Sequence, residues 1–113
     1  MLVITSDKVA LTRGDSADLT VVIKDLAGNT YELQTGDVLK FTLKSNCETD
    51  KIIIQKDCSS DSMIHLTPSD TNGLKYGIYN FDVQLTLANG KVYTVIPPHD
   101  FEITKEVTFN APV

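Results

Sequence analysis

Apolar and polar residues alternate most regularly between Gly77 and Leu87. A repeat of two is typical of a strand with one buried face, because successive side chains of an extended chain point to opposite sides. This segment therefore predicts a half-buried strand, and its inward face carries Tyr79, Phe81, Val83, Leu85 and Leu87.

A sharp turn follows this strand at Asn89-Gly90. Both residue types accept the positive φ angles of a type I′ turn, which commonly joins the strands of a hairpin. Counting outward from such a turn predicts three cross-strand pairs: Leu87 with Val92, Leu85 with Thr94, and Val83 with Ile96. In this register Tyr93 and Val95 lie on the face opposite to the core.

Shorter alternating segments surround the hairpin. They predict a first strand interrupted at residues 6–7, a strand over 17–24, one around Phe41, an edge strand at 52–54 between two lysines, and one that ends before Pro68. The inward positions of these strands are Ala17, Leu19, Val21, Ile23, Leu39, Phe41, Leu43, Ile64 and Leu66. Residues 69–71 favour a helical turn. Pro97-Pro98 predicts a bulge or kink in the last strand, because proline cannot donate to a sheet ladder.

These segments amount to roughly seven to nine short strands with turn signals about every 8 to 12 residues. We therefore predict an all-β fold, an immunoglobulin-like antiparallel two-sheet β-sandwich that spans residues 1–104. Residues 105–113 form a tail with apolar Val107, Phe109 and Val113. We expect this tail to add to a sheet edge or to dock on another chain.

Tyr79 lies two residues before the buried position Phe81. This is the spacing of the tyrosine corner of immunoglobulin-like sandwiches, in which the hydroxyl bonds to backbone a few residues upstream. Here that backbone is the loop from Pro68 to Tyr76. An ordinary half-buried strand tyrosine is the alternative.

Composition limits the classes of partner. The chain has 113 residues and a net charge of −5, and its ten Lys and Arg residues are scattered singly. Nucleic acid is therefore not an expected partner, because phosphate binding needs clustered basic residues. We expect no membrane span, since no apolar run approaches about 20 residues. The first residues hold too few apolar positions for a secretion signal, which predicts a cytoplasmic site of synthesis and assembly.

Cys47 and Cys58 flank the predicted strand at 52–54. An extended strand would hold their Cα atoms much farther apart than the roughly 4.4 to 6.8 Å of a disulfide. Their spacing fits no zinc motif either. We therefore predict neither a disulfide between them nor a zinc site.

Catalytic and ligand-binding motifs are weak. His65 lies between two inward residues of a strand and is expected to be exposed, and His99 adjoins Asp100 in a predicted loop. Loop aspartates such as Asp57 and Asp61 match no calcium motif and fit turn and cap roles. Arg13-Gly14-Asp15 spells an integrin-binding tripeptide, but it also has suitable turn chemistry before a strand. We expect no enzyme activity, no cofactor and no metal; an enzyme would need a site built from the two histidines and loop aspartates.

Four apolar residues are predicted on the outer side of their strands: Val22, Ile78, Tyr93 and Val95. If two or more lie together, they form a patch that marks a protein contact. The alternative is that they are scattered or covered by a terminal segment.

Several segments in succession indicate a family. They are Thr12-Arg13-Gly14-Asp15-Ser16, Phe41-Thr42-Leu43, Ile53-Ile54-Gln55-Lys56, Leu66-Thr67-Pro68-Ser69-Asp70-Thr71, Gly77-Ile78-Tyr79-Asn80-Phe81-Asp82-Val83-Gln84-Leu85 and Val92-Tyr93-Thr94-Val95. Their order resembles the immunoglobulin-like domain of phage and prophage baseplate proteins, the baseplate upper protein N-terminal domain family, to about Thr104. Val21 and Phe81 match the positions of the two paired cysteines of antibody domains.

This resemblance implies a non-enzymatic structural module of a phage or prophage tail or baseplate. Its expected partners are other tail proteins, with a homo-oligomer also open, and its expected location is the virion tail, assembled in the bacterial cytoplasm. The rival hypothesis is a carbohydrate- or cell-surface-binding adhesin module. Such modules usually present aligned exposed aromatics, for which Tyr31, Tyr76 and Tyr93 are the candidates.

Overall fold

The computed structural model of the chain describes residues 2–5, 8–24, 27–46 and 48–105, with 2–5 and 8 described by their backbone alone. In these ranges the strands and the helix are β1 (Leu2–Thr5), β2 (Lys8–Thr12), β3 (Ala17–Thr20), β4 (Ile23–Lys24), β5 (Thr30–Tyr31), β6 (Val38–Lys44), β7 (Ile52–Asp57), β8 (Met63–Leu66), α1 (Pro68–Thr71), β9 (Gly77–Thr86) and β10 (Val92–Thr104). The fold is all-β, which confirms the prediction from the alternating pattern.

Six strands form one large sheet in the order β1-β2-β10-β9-β6-β7, and this sheet curls into a half-barrel. Its neighbouring strands are antiparallel except for β2 and β10, which run parallel. Two small sheets pair β3 with β8 and β4 with β5. The edge position predicted for residues 52–54 is confirmed, because β7 ends the large sheet.

The hydrophobic core combines residues of all three sheets. Its centre holds three phenylalanines of neighbouring strands, Phe41, Phe81 and Phe101. The ring centroids lie 5.6 Å apart for Phe41 and Phe81, and 5.9 Å apart for Phe81 and Phe101, whose rings meet edge to face. The predicted inward positions on β6 and β8 are buried: Leu39, Phe41, Leu43, Ile64 and Leu66.

The N-terminal half departs from the prediction in two places. The interrupted first strand is instead a hairpin, because β1 folds back antiparallel on β2. The strand predicted over 17–24 divides into β3 and β4, which belong to different sheets. Just beyond the β3–β8 ladder the Val21 amide donates to the Ser62 carbonyl at 2.8 Å, and the chain then passes to the sheet of β4 and β5. These breaks give ten strands in the described ranges where seven to nine were expected.

The predicted type I′ turn is wrong. Gly90 has a φ of 91°, but Asn89 does not adopt a positive φ. The Leu87 amide donates to the Lys91 carbonyl and the Gly90 amide to the Leu87 carbonyl, both at 2.8 Å. The connection is therefore the three-residue loop of residues 88–90, closed by a glycine in the left-handed region.

The longer turn changes the register beside it. Tyr93, not Thr94, lies opposite Leu85, so the predicted pairs of Leu85 and Leu87 are wrong. A one-residue bulge at Val95 then restores the predicted pairing of Val83 with Ile96. A second bulge at residues 97–98 confirms the irregularity expected from the two prolines.

The loop between β8 and β9 contains the predicted helical turn, α1. At its end the buried Thr71 accepts a hydrogen bond through Oγ1 from the Gly14 amide at 2.8 Å. This bond ties α1 to the turn before β3. No helix in the described ranges is long and apolar enough to cross a membrane.

Cys58 is a buried free thiol, and burial raises the pKa of this thiol above its ordinary value. Cys47 lies outside the described residues, and so does the tail segment 106–113 with Val107, Phe109 and Val113.

The position of Phe41 predicts a large effect of its removal. Phe41→Ala is expected to lower the free energy of unfolding by about 3 to 5 kcal/mol, because the fully buried ring leaves a cavity against Phe81 and Phe101. Ile52→Ala, at a half-exposed site, serves as control with an expected loss under about 0.5 kcal/mol. Urea denaturation measures both, and comparable losses would contradict the assigned core.

Candidate functional site

An apolar groove lies between β4 and β5 on one side and the turn end of β9 and β10 on the other. It encloses about 560 Å³, and its lining residues are Val22, Ile23, Lys24, Tyr31, Leu85, Leu87, Tyr93, Thr94 and Val95. Among them only Lys24 carries a charge. We call this cavity the β4–β10 groove. Its size and apolar lining suit the side chains of a partner.

The groove brings together three of the four predicted surface residues: Val22, Tyr93 and Val95. Tyr93 faces the groove because the three-residue turn places it opposite Leu85, so its predicted position on the outer face is wrong. Ile78 is not part of the groove. It lies opposite Glu102 near the start of β9 and is 56% exposed.

The outer edge of β10 borders this groove. β2 pairs with β10 only from Asp100 to Thr104, so β10 has no strand on this side from Val92 to His99 in the part of the chain that the structure describes. Pro97 and Pro98 occupy the far end of this stretch. The residues from Val92 to Ile96 therefore form an open edge where backbone groups are available to another strand.

Asp37 holds two walls of the groove together. Its carboxylate accepts hydrogen bonds from the Tyr31 hydroxyl at 2.5 Å, the Gln34 amide at 2.9 Å and the Ala88 amide at 3.2 Å. The bond from Tyr31 is the main reason why the pKa of Asp37 lies below its ordinary value, and it also raises the pKa of Tyr31. Asp37 thus fixes a groove tyrosine relative to the β9–β10 turn.

His65 is exposed, as its strand position predicts. Its Nδ1 lies 2.7 Å from a carboxylate oxygen of Asp18, and its Nε2 lies 2.7 Å from one of Asp61. Hydrogen bonding to Asp61 and then to Asp18 raises the pKa of His65. Because both nitrogens face carboxylates, the arrangement favours the imidazolium and leaves no nitrogen to act as a base.

The other residues considered for chemistry do not assemble around His65. His99 lies in the large sheet, where its Nδ1 is 2.5 Å from the Pro97 carbonyl oxygen. Asp57 accepts hydrogen bonds from the amide and hydroxyl of Ser59 in its own turn. In the described ranges no cluster of three or more metal-ligating side chains occurs.

The three tyrosines considered for sugar binding do not lie in one place. Tyr31 and Tyr93 line the β4–β10 groove, whereas Tyr76 stacks under the Arg13 guanidinium at 4.3 Å. Tyr76 directly precedes β9, at the opposite end of that strand from the groove. A second, smaller concavity of about 290 Å³ lies over β6, β7 and β9 and has mostly polar walls.

The Tyr79 hydroxyl donates a hydrogen bond to the Lys75 carbonyl at 2.7 Å. Lys75 lies in the loop from Pro68 to Tyr76, upstream of β9. The bond connects the start of β9 to the loop that follows α1.

Sequence reasoning missed several groove residues. Leu85 and Leu87 were assigned to the core, although they also line the groove. Asp37 was not among the predicted site residues. The available signal was an acidic residue directly before a strongly apolar strand, but its contact with Ala88 spans 51 positions of sequence and follows only from the fold.

Comparison of the chain with protein-family models, with curated proteins and with solved structures finds no match.

The hydrogen bonds of Asp37 predict a pH-dependent stability. Its folded pKa is lowered, so ionised Asp37 stabilises the fold above its unfolded pKa of about 3.9. This contribution is lost as the pH falls through the folded pKa. We expect the stability difference between the protein and Asp37→Asn to shrink from about pH 5 towards about pH 2 in urea denaturation.

Tyr31→Phe provides the companion measurement. Removing the main hydrogen bond moves the folded pKa of Asp37 upwards, towards its unfolded value, so the acid loss of stability should be smaller and should be complete at a higher pH than in the protein. Parallel stability curves for all three proteins would show that Asp37 does not hold the groove.

Proposed function

We propose that this chain is a non-enzymatic structural module of a phage or prophage tail or baseplate, which binds other tail proteins through the β4–β10 groove. The observation that carries the protein-contact role is the meeting of Val22, Tyr93 and Val95 in one apolar groove beside an open strand edge. The tail and baseplate context is supported by the sequence resemblance described above.

An immunoglobulin-like sandwich is the fold that we propose behind this role. Its support is the pairing of β3 with β8, which matches strands B and E of such domains, together with β6, β9 and β10 side by side, which match strands C, F and G. The hydrogen bond of Tyr79 to Lys75 has the geometry expected of a tyrosine corner. The curled large sheet and the β1–β2 hairpin are departures from the simple sandwich.

Two features suit a structural part better than a catalyst. His65 is held between two carboxylates, which disfavours a base, and its ring lies on a different sheet from His99. The groove is apolar with one charged lining residue, a composition suited to side-chain packing and not to proton transfer.

Carbohydrate binding is the second candidate, because Tyr31 and Tyr93 line the same groove. Aromatic rings that share a groove can stack on sugar faces. Binding on a glycan array that disappears in Tyr93→Ala would favour this function over protein contact.

Mass spectrometry of purified tail particles, after induction of prophages in the bacterium that encodes the chain, tests the tail assignment. We expect the chain at a fixed ratio to a known tail protein. Particles that lack it, with the chain found in the cell envelope, would instead favour the adhesin module.

The proposed tyrosine corner predicts a specific cost for the loss of one hydroxyl. Tyr79→Phe should lower the free energy of unfolding by about 0.5 to 1.5 kcal/mol, because it removes the bond to Lys75. Tyr93→Phe removes a hydroxyl from a half-exposed ring and should change stability by less than about 0.5 kcal/mol. Equal changes in the two variants would argue against the corner.

A further inference from the structure

Building on the protein-contact role proposed above, we propose that residues 106–113 of a second copy of this chain add as a strand to the open edge of β10 and fill the β4–β10 groove. The chain would then supply both the groove and the segment that occupies it. This arrangement is strand addition between identical chains, in which backbone bonds hold the strand and alternate side chains enter a groove.

The segment has the sequence pattern that such a strand needs. In EVTFNAPV, residues 107, 109, 111 and 113 are apolar, whereas 106, 108 and 110 are polar. A period of two places all four apolar side chains on one face of an extended strand. Residues 107–113 carry no charged side chain, which suits an apolar groove whose single charged lining residue is Lys24.

The open edge offers the matching backbone. Val92 to Ile96 have no strand partner on their outer side within the described residues, and Tyr93 and Val95 line the groove beside them. A strand added here would project alternate side chains between Tyr93 and Val22, which lie on opposite walls. It would also cover Val22, whose side chain is 60% exposed, the highest value among the exposed large apolar residues described.

The geometry favours a second copy as the source of the segment. β2 already occupies the edge of β10 from Asp100 to Thr104, directly before the segment. Tyr93 lies twelve residues before Lys105, a distance of roughly 35 to 40 Å along an extended strand. Eight residues reach at most roughly 29 Å, so residues 106–113 are too short to run back along β10 to Tyr93 of their own chain.

Four full-length variants test this assembly. Phe109→Asp places a charge on the apolar face of the segment, and Asn110→Asp places the same charge on the other face. Val22→Asp alters the groove, and Ile78→Asp alters a similarly exposed apolar residue outside it. Circular dichroism and urea denaturation establish that each variant is folded before its mass is measured by size-exclusion chromatography with light scattering.

We expect the unmodified chain, Asn110→Asp and Ile78→Asp to reach at least twice the monomer mass as concentration rises. Phe109→Asp and Val22→Asp should stay monomeric. Their mixture should form a 1:1 heterodimer, because one retains the groove and the other retains the segment. A monomeric unmodified chain, or a mixture without heterodimer, would overturn the proposal.

Two outcomes separate this proposal from the protein-contact role on which it rests. If Phe109→Asp still assembles while Val22→Asp does not, the groove binds protein but residues 106–113 are not its occupant. If Val22→Asp changes neither self-assembly nor the incorporation of the chain into tail particles, the protein-contact role fails as well.

A synthetic peptide of residues 106–113 tests the backbone pairing directly. Fluorescence anisotropy should show that the labelled peptide binds Phe109→Asp and that Val22→Asp binds it at least tenfold more weakly. N-methylation of every second peptide amide should abolish binding when the methylated amides face β10. Methylation of the other alternate amides should leave binding largely intact, because only one set faces β10. Equal effects of both sets would exclude strand addition.

Discussion

The packing of Phe41, Phe81 and Phe101 is the interaction on which the rest of the structure depends. These rings come from β6, β9 and β10, which lie side by side in the large sheet, and their centroids lie 5.6 to 6.3 Å apart. Tilted and edge-to-face contacts of this kind add to the gain from burying the rings. The small sheets then pack on this centre through residues such as Ile23 and Leu66.

This central packing constrains β10. The strand must present Phe101 and Ile103 to the core at one end while its other end follows a three-residue turn. A regular strand cannot insert extra residues without turning its side chains to the other face. The bulges at Val95 and at residues 97–98 each add one residue, so together they restore the original alternation.

Local pattern predicted the strands and their buried faces well, because a period of two depends only on neighbouring residues. The prolines also revealed the second bulge. The turn was mispredicted because Asn89-Gly90 is compatible with two loop lengths, and the choice depends on how Leu87 and Lys91 pair. The β1–β2 hairpin and the break after β3 depend on which distant strand offers an edge, which no local signal encodes.

The candidate site was predictable in part for the same reason. Apolar residues at predicted outer positions identified Val22 and Val95, but parity alone placed Tyr93 on the wrong face and grouped Ile78 with residues at the far end of its strand. The role of Asp37 also follows from tertiary structure.

The paired bulges of β10 separate the register of the groove residues from that of the core residues. The residues from Val92 to Thr94 lie between the turn and the first bulge, so their phase relative to β9 is set locally. One residue gained or lost within this stretch would turn the neighbouring side chains into the groove in place of the present apolar lining. Phe101 and Ile103 would stay on the core face. A single-residue insertion or deletion near Val95 would therefore change the lining of the groove with no substitution in the core.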